Sequence, residues 1–288
     1  MLGAFGIALS MVVGGLFNFY EIISPLSVHI YLYAGAALFT LYLIENRRTI
    51  ISGLKNTITT FKADKILAAS VMFLVVFLCA RILLSVSFYD MNHVDDYQGY
   101  IVFPVKMIQT GALGPDPFSE RRIMSSLGGQ YFLDTFTLSS LDTKYLHIID
   151  NCVSYLFFLA LIYELLSLAK IDHYLKVSLF TLLLLIASPT TNITSFITAA
   201  LLLLGLFTLL IKSEKKKSEI FLLTPLIIAA LATSKSNMII PMALIAAYYY
   251  FSVFEKTVPQ WNKLKIQDAL RGIALYICAP GALVVLLI

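Results

Sequence analysis

The feature that most constrains this chain is the recurrence of long apolar runs broken by short polar stretches. Ile66–Ala80 carries no charged side chain, and Leu2–Tyr20 carries none either. A helix that crosses a bilayer needs roughly 20 mostly apolar residues, because lipid offers its backbone no hydrogen-bond partners. Nine segments read this way, near 2–20, 27–44, 66–88, 148–169, 176–189, 195–211, 220–234, 238–254 and 272–288. Pro189 ends the short fifth one. Over the 288 residues 59% are hydrophobic and 13% charged, about half the charge of a soluble domain. That leaves too little polar surface to cover an apolar core in water. The expected fold is an all-α, polytopic transmembrane helical bundle of about nine spans, one transmembrane domain over 1–288.

Orientation follows from the basic residues between the runs, since short cytoplasmic loops hold the excess of Lys and Arg. The loop 45–65 holds Arg47, Arg48, Lys55, Lys62 and Lys65, and the loop near 170–176 holds Lys170 and Lys176. Lys212-Ser-Glu-Lys-Lys-Lys217 follows, and then Lys256, Lys263, Lys265 and Arg271 in 255–271. These four alternate correctly with the spans if all are cytoplasmic. The N-terminus is then inside, and 21–26, 89–145, 188–195 and 235–237 lie outside. The expected location is the inner (plasma) membrane of a bacterium, multi-pass. Leu2–Tyr20 has no basic flank ahead of it and no small-x-small site, so it reads as a first membrane helix rather than a cleaved signal. The chain stops in an apolar run at Ile288, which reads as the N-terminal fragment of a longer protein.

No basic stripe is interleaved with exposed aromatics, so no nucleic-acid partner is expected. Cys79, Cys152 and Cys278 sit in apolar segments without metal-ligand spacing and read as small core residues.

The large extracytoplasmic loop 89–145 is too rich in aromatic and aliphatic residues for a disordered linker. It opens with Tyr89-Asp-Met-Asn-His-Val-Asp-Asp-Tyr97. An amphipathic stretch, Ile101–Ile108, is expected to lie along the membrane surface, with Gly111 as its C-cap. Gly114-Pro-Asp-Pro117 marks a turn. Ser119-Glu-Arg-Arg122 and Leu127-Gly-Gly-Gln130 lead back to the membrane near Ile148.

Chemistry concentrates at the start of this loop. Asp95 and Asp96, with Asp90 and His93 nearby, are of the type that binds a divalent metal (Mg or Mn) or sugar hydroxyls. One of the pair could serve as a general base. The plain reading is a helix start, with Asp95 as N-cap and Gln98 three residues on; the two readings are compatible. Arg121 and Arg122 fit a phosphate by fork-like hydrogen bonds or pair with Glu120 at the surface. Lys235 is the single charge in an outer turn, fit for substrate contact or for snorkelling. Arg81 lies below the outer end of its span and either snorkels or turns inward. Glu164 reads as structural. Ser188-Pro-Thr-Thr-Asn-Ile-Thr-Ser195 could line a sugar cleft or satisfy its own backbone. His29, His147 and His173 have no ligand-like partner in sequence, and Tyr248-Tyr-Tyr250 reads as an interfacial belt.

The segment from Asp95-Asp-Tyr-Gln-Gly-Tyr100 to Ser119-Glu-Arg-Arg122, with Lys235-Ser-Asn237, resembles the GT-C superfamily of integral-membrane glycosyltransferases. The likeness is clearest over about 89–145, and three spans precede the acidic loop here, two more than that family usually has. It implies transfer of a sugar from a polyprenyl-phosphate donor to an envelope glycan, lipid or protein. An acidic residue of the first outer loop, here Asp95 or Asp96, is then base or metal contact. Lys235, Arg121 and Arg122 would touch the donor phosphate. The alternative is a polysaccharide or lipid-linked-sugar transporter, flippase or polymerase subunit without its own transfer site.

Overall fold

The computed structural model describes residues 1–87, 96–114, 128–186, 195–212, 217–234, 238–245 and 247. The described residues are 87% helical, with no strand. The elements are α1 (Leu2–Phe19), α2 (Pro25–Glu45), α3 (Arg47–Ala63) and α4 (Lys65–Ser87), then a π-helical turn Asp96–Tyr100, α5 (Val102–Thr110) and α6 (Gly129–Leu138). A second π-helical segment, Ile148–Ser154, runs into α7 (Tyr155–Leu168), and α8 (His173–Ile186), α9 (Phe196–Lys212) and α10 (Lys217–Ser234) complete the order.

Among the described residues four helical stretches are long and apolar enough to cross a membrane: Leu2–Phe19, Pro25–Glu45, Lys65–Leu84 and Thr143–Leu168. His173–Leu185, Phe196–Leu209 and Leu223–Ser234 are shorter apolar helices. The expected span 272–288 lies outside the described residues, as does the end of 238–254. Along α2 only Val28 is buried, and Leu38, Phe39 and Leu41 stand in the open. So much exposed apolar surface is consistent with contact with a lipid bilayer.

Local chemistry sets the helix starts. Ser24 accepts from the Ser27 N–H at 3.2 Å while the Ser27 hydroxyl accepts from the Ser24 N–H at 2.9 Å, and Pro25 opens α2. Asp64 takes the Leu67 N–H at 2.9 Å ahead of α4 and the Tyr174 hydroxyl at 2.6 Å. Those bonds, the Leu67 one foremost, hold its carboxyl below the usual range. Two expectations are corrected here. Residues 45–65 do not form a loop: only Asn46 and Asp64 interrupt a run of helix, and α3 occupies the rest. Cys79 is exposed among the described residues rather than in the core.

The core is where α1, α7, α9 and α10 meet. Ala4, Ile7, Ala8 and Met11 of α1 pack against Leu201, Leu202 and Leu206 of α9 and Ile227 and Leu231 of α10. Small residues allow the approach: a Cβ on Gly205 would lie 2.6 Å from that of Ala4.

Polar contacts divide the bundle into two ends. At one, the Met1 ammonium meets Glu164 at 2.7 Å, a structural role for that acid as expected, and Lys176 Nζ donates to Ser167 at 3.1 Å. Asp64, Tyr174 and α3 share this end. At the other, the Ile23 N–H donates to the Gly111 carbonyl at 3.0 Å, His29 meets Ser140 at 2.8 Å and Ser195 donates to the Ser234 carbonyl at 3.2 Å. The basic stretches before α4 and α8 fall at the first end, and Asp96 falls at the second.

Candidate functional site

The residues beyond the third span do not sit over the bundle as a separate layer; α5 and α6 are wedged into its end. α5 buries Phe103, Pro104 and Met107, and Gly111 ends it with a positive φ of 88°, the C-cap the sequence indicates. α6 is buried along most of its length. Phe132 packs against α1 where Gly14 leaves room, since any Cβ there would overlap the Phe132 ring. Tyr131 stacks obliquely on Phe103 at 4.8 Å between ring centres.

One stripe of α6 is polar and buried. Gln130 and Asp134, four residues apart, share a helix face and turn towards the start of the fourth long apolar stretch. There His147, Asp150, Asn151 and Ser154 are all buried. His147 and Asp150 line one cavity, and π-helical segments such as Ile148–Ser154 recur at functional sites. Asn151 Nδ2 lies 3.4 Å from His147 Nδ1.

Asp150 caps α9 across the helix interface. Its Oδ1 accepts from the Thr198 N–H and the Thr198 hydroxyl, both at 2.7 Å, and its Oδ2 accepts from the Ile197 N–H at 3.1 Å. The Ser154 hydroxyl closes the arrangement at 2.7 Å from Thr198 Oγ1. A carboxylate here satisfies orphan N–H groups and faces the positive end of the helix dipole.

Asp134 has no such shelter. It is 4% exposed, and its Oδ2 meets no hydrogen-bond partner among the described residues. Burial, then the charges of Asp150 and Asp96, push its carboxyl well above the usual range, against a smaller opposing pull from the Gln130 hydrogen bond. The carboxyl is thus a hydrogen-bond donor over a wider pH range than an ordinary aspartate. It lines a cavity shared with Gln130, His147, Asp150, Ser195 and Thr198, with about 10 Å³ open to the centre of a water molecule. That is room for about one water, so the cavity supports a site and does not itself admit a sugar.

Asp96 lies within electrostatic reach of two residues that line this cavity, Asp134 and His147. It is 0% exposed and starts the π-helical turn, while its neighbour Tyr97 is exposed. Its charge acts on His147, Asp134 and Tyr100. The Tyr100 hydroxyl is pushed up, first by burial and then by Asp96. The chain therefore places a buried acid, Asp96, next in sequence to an exposed residue and within electrostatic reach of a second buried acid, Asp134, whose carboxyl is pushed up. A hydroxyl brought to Asp96 could lose its proton there, and the polar groups behind it could relay it.

Of the site residues the sequence indicates, Asp96 alone is described. Asp95, Asp90, His93, Arg121, Arg122 and Lys235 lie outside the described residues. Among the described residues no three His, Cys, Asp or Glu side chains are grouped to hold a metal. Arg81 turns inward, with its guanidinium 4.8 Å over the Tyr155 ring and a hydrogen bond to the Leu184 carbonyl. Sequence reasoning misses Gln130, Asp134 and Thr198, and it finds no partner for His147. Asp150 carries a usable signal, an acid inside an apolar span. Comparison with protein-family models, curated proteins and solved structures finds no match to this chain.

Proposed function

We propose that the chain is a membrane glycosyltransferase that moves a sugar from a polyprenyl-phosphate donor to an envelope glycan, lipid or protein. In this reading the nine apolar segments cross the bacterial plasma membrane, and the basic end of the bundle is cytoplasmic. The loop 89–145 then works on the outer face. Asp96, or Asp95 beside it, removes the proton of the acceptor hydroxyl as the donor phosphate leaves. Arg121, Arg122 and Lys235 hold that phosphate, and Asp95 and Asp96 would hold a divalent metal, Mg or Mn, if one is used. The observation that supports this most is the burial of Asp96 within electrostatic reach of Asp134 and His147, at the end of the bundle away from α3. Burying a carboxylate is costly, and such groups cluster where chemistry needs them.

The test is transfer of labelled sugar from polyprenyl-phosphate donors by membranes containing the protein. Asp96→Asn should abolish transfer, and full turnover in both Asp95→Asn and Asp96→Asn would remove the proposed base. The inward-turned Arg81 favours a second reading, a transporter or flippase for the same class of lipid-linked sugar. Movement of substrate across liposomes without glycosyl transfer would select it.

A further inference from the structure

The helix that replaces the expected basic loop is amphipathic in a particular way. Ile50, Leu54, Ile58 and Phe61 recur at helical spacing along one face of α3. Arg48, Lys55 and Lys62, seven residues apart, form a line beside them. The opposite face carries Thr49, Ser52, Asn56 and Thr59, and α3 contains no acid. Nothing in α3 is buried: Leu54 is 60% exposed and Ile58 53%. Among the described residues its substantial neighbours are α2 and α4, the helices it connects.

Both of those helices have the length and apolarity of membrane spans. One residue, Asn46, joins α2 to α3, and one, Asp64, joins α3 to α4. The two ends of α3 are therefore pinned where two spans leave the bilayer. At 1.5 Å per residue α3 is about 25 Å long, and α2 and α4 make no substantial contact with each other. A rigid rod held at both ends at the same level must lie in the membrane plane.

We propose that α3 is an interfacial helix that docks on anionic lipid headgroups. Leu54, Ile58 and Phe61 enter the acyl boundary, while Arg48, Lys55 and Lys62 take the lipid phosphates. The apolar face matches the depth at which α2 and α4 emerge, and the one-sided line of cations matches an anionic surface. This rests on α2 and α4 crossing the bilayer and not on the transferase reading.

The test uses the full chain reconstituted in phosphatidylcholine vesicles with and without phosphatidylglycerol, with bromine on the lipid acyl chains. In a Trp261→Phe background, Leu54→Trp reports the apolar face and Asn56→Trp the opposite one. Strong quenching of the first, weak quenching of the second and a rise for the first with phosphatidylglycerol are expected. Arg48→Gln, Lys55→Gln and Lys62→Gln together should raise the phosphatidylglycerol content needed for half the effect. Lys55→Gln alone should raise it about fivefold, the weight of one cation at an anionic surface. Equal quenching at both positions, or quenching indifferent to phosphatidylglycerol, would overturn the proposal. So would an unquenched Leu54→Trp that becomes quenched on dilution, which would show a second copy covering the face.

Discussion

Asp150→Ala removes the cross-helix cap of α9 and with it three hydrogen bonds to the carboxylate. The Thr198 hydroxyl keeps Ser154 at 2.7 Å, so the loss falls on the N–H groups of Ile197 and Thr198. A buried donor left bare costs about 1–3 kcal/mol, giving about 2–6 kcal/mol for the pair. Relief of the repulsion on Asp134 returns some of this, and about 1–5 kcal/mol is expected. Asp150→Asn keeps one acceptor oxygen for Thr198 but turns an amide towards the Ile197 N–H and loses its attraction to the helix dipole, for about 1–2 kcal/mol. Unfolding in mixed micelles of mild detergent and dodecyl sulfate, monitored by circular dichroism, measures both. The reasoning fails if Asp150→Ala lies within about 1 kcal/mol of the unaltered chain, or if the two variants are equally damaged.

Two further outcomes are expected. The folded-state carboxyl of Asp134 is raised above its ordinary value of 3.8. Its favourable contribution is thus fully present below that value and is lost as pH rises through the folded value. Asp134→Asn should flatten that decline, and stability curves for the two chains that stay parallel from acid to neutral pH would contradict it. Gly14→Ala sets a methyl against the Phe132 ring and should cost about 1–3 kcal/mol. Gly6→Ala, with nothing within 4 Å of the new carbon, should be neutral or gain about 0.5–1 kcal/mol. Equal effects in the same unfolding assay would show that α6 does not seat on Gly14.

Much of the helical layout is legible because it obeys local rules. Apolar run length marks the spans, Ser24-Pro25 and Gly111 mark helix ends, and α1, α2 and α4 match the expected segments to within two residues at most ends. The region 45–65 reads as loop by its charge, yet the spacing of Leu54, Ile58 and Phe61 within it is that of a helix. The site is legible only at Asp96. Gln130 and Asp134 lie in a stretch with ordinary turn signals, and nothing local shows that α6 is swallowed by the bundle.

The sequence by itself determined that this is a helical chain suited to lipid, with its cations gathered at one set of turns. Those properties depend on composition and spacing along the chain. The meeting of Asp96, Asp134, His147 and Asp150 was decided only by tertiary structure. Asp134 and Asp150 are drawn together because Gly14 admits Phe132 beside α1 and the start of α9 needs a carboxylate. Such closeness arises from packing between helices far apart in sequence, which no local pattern encodes.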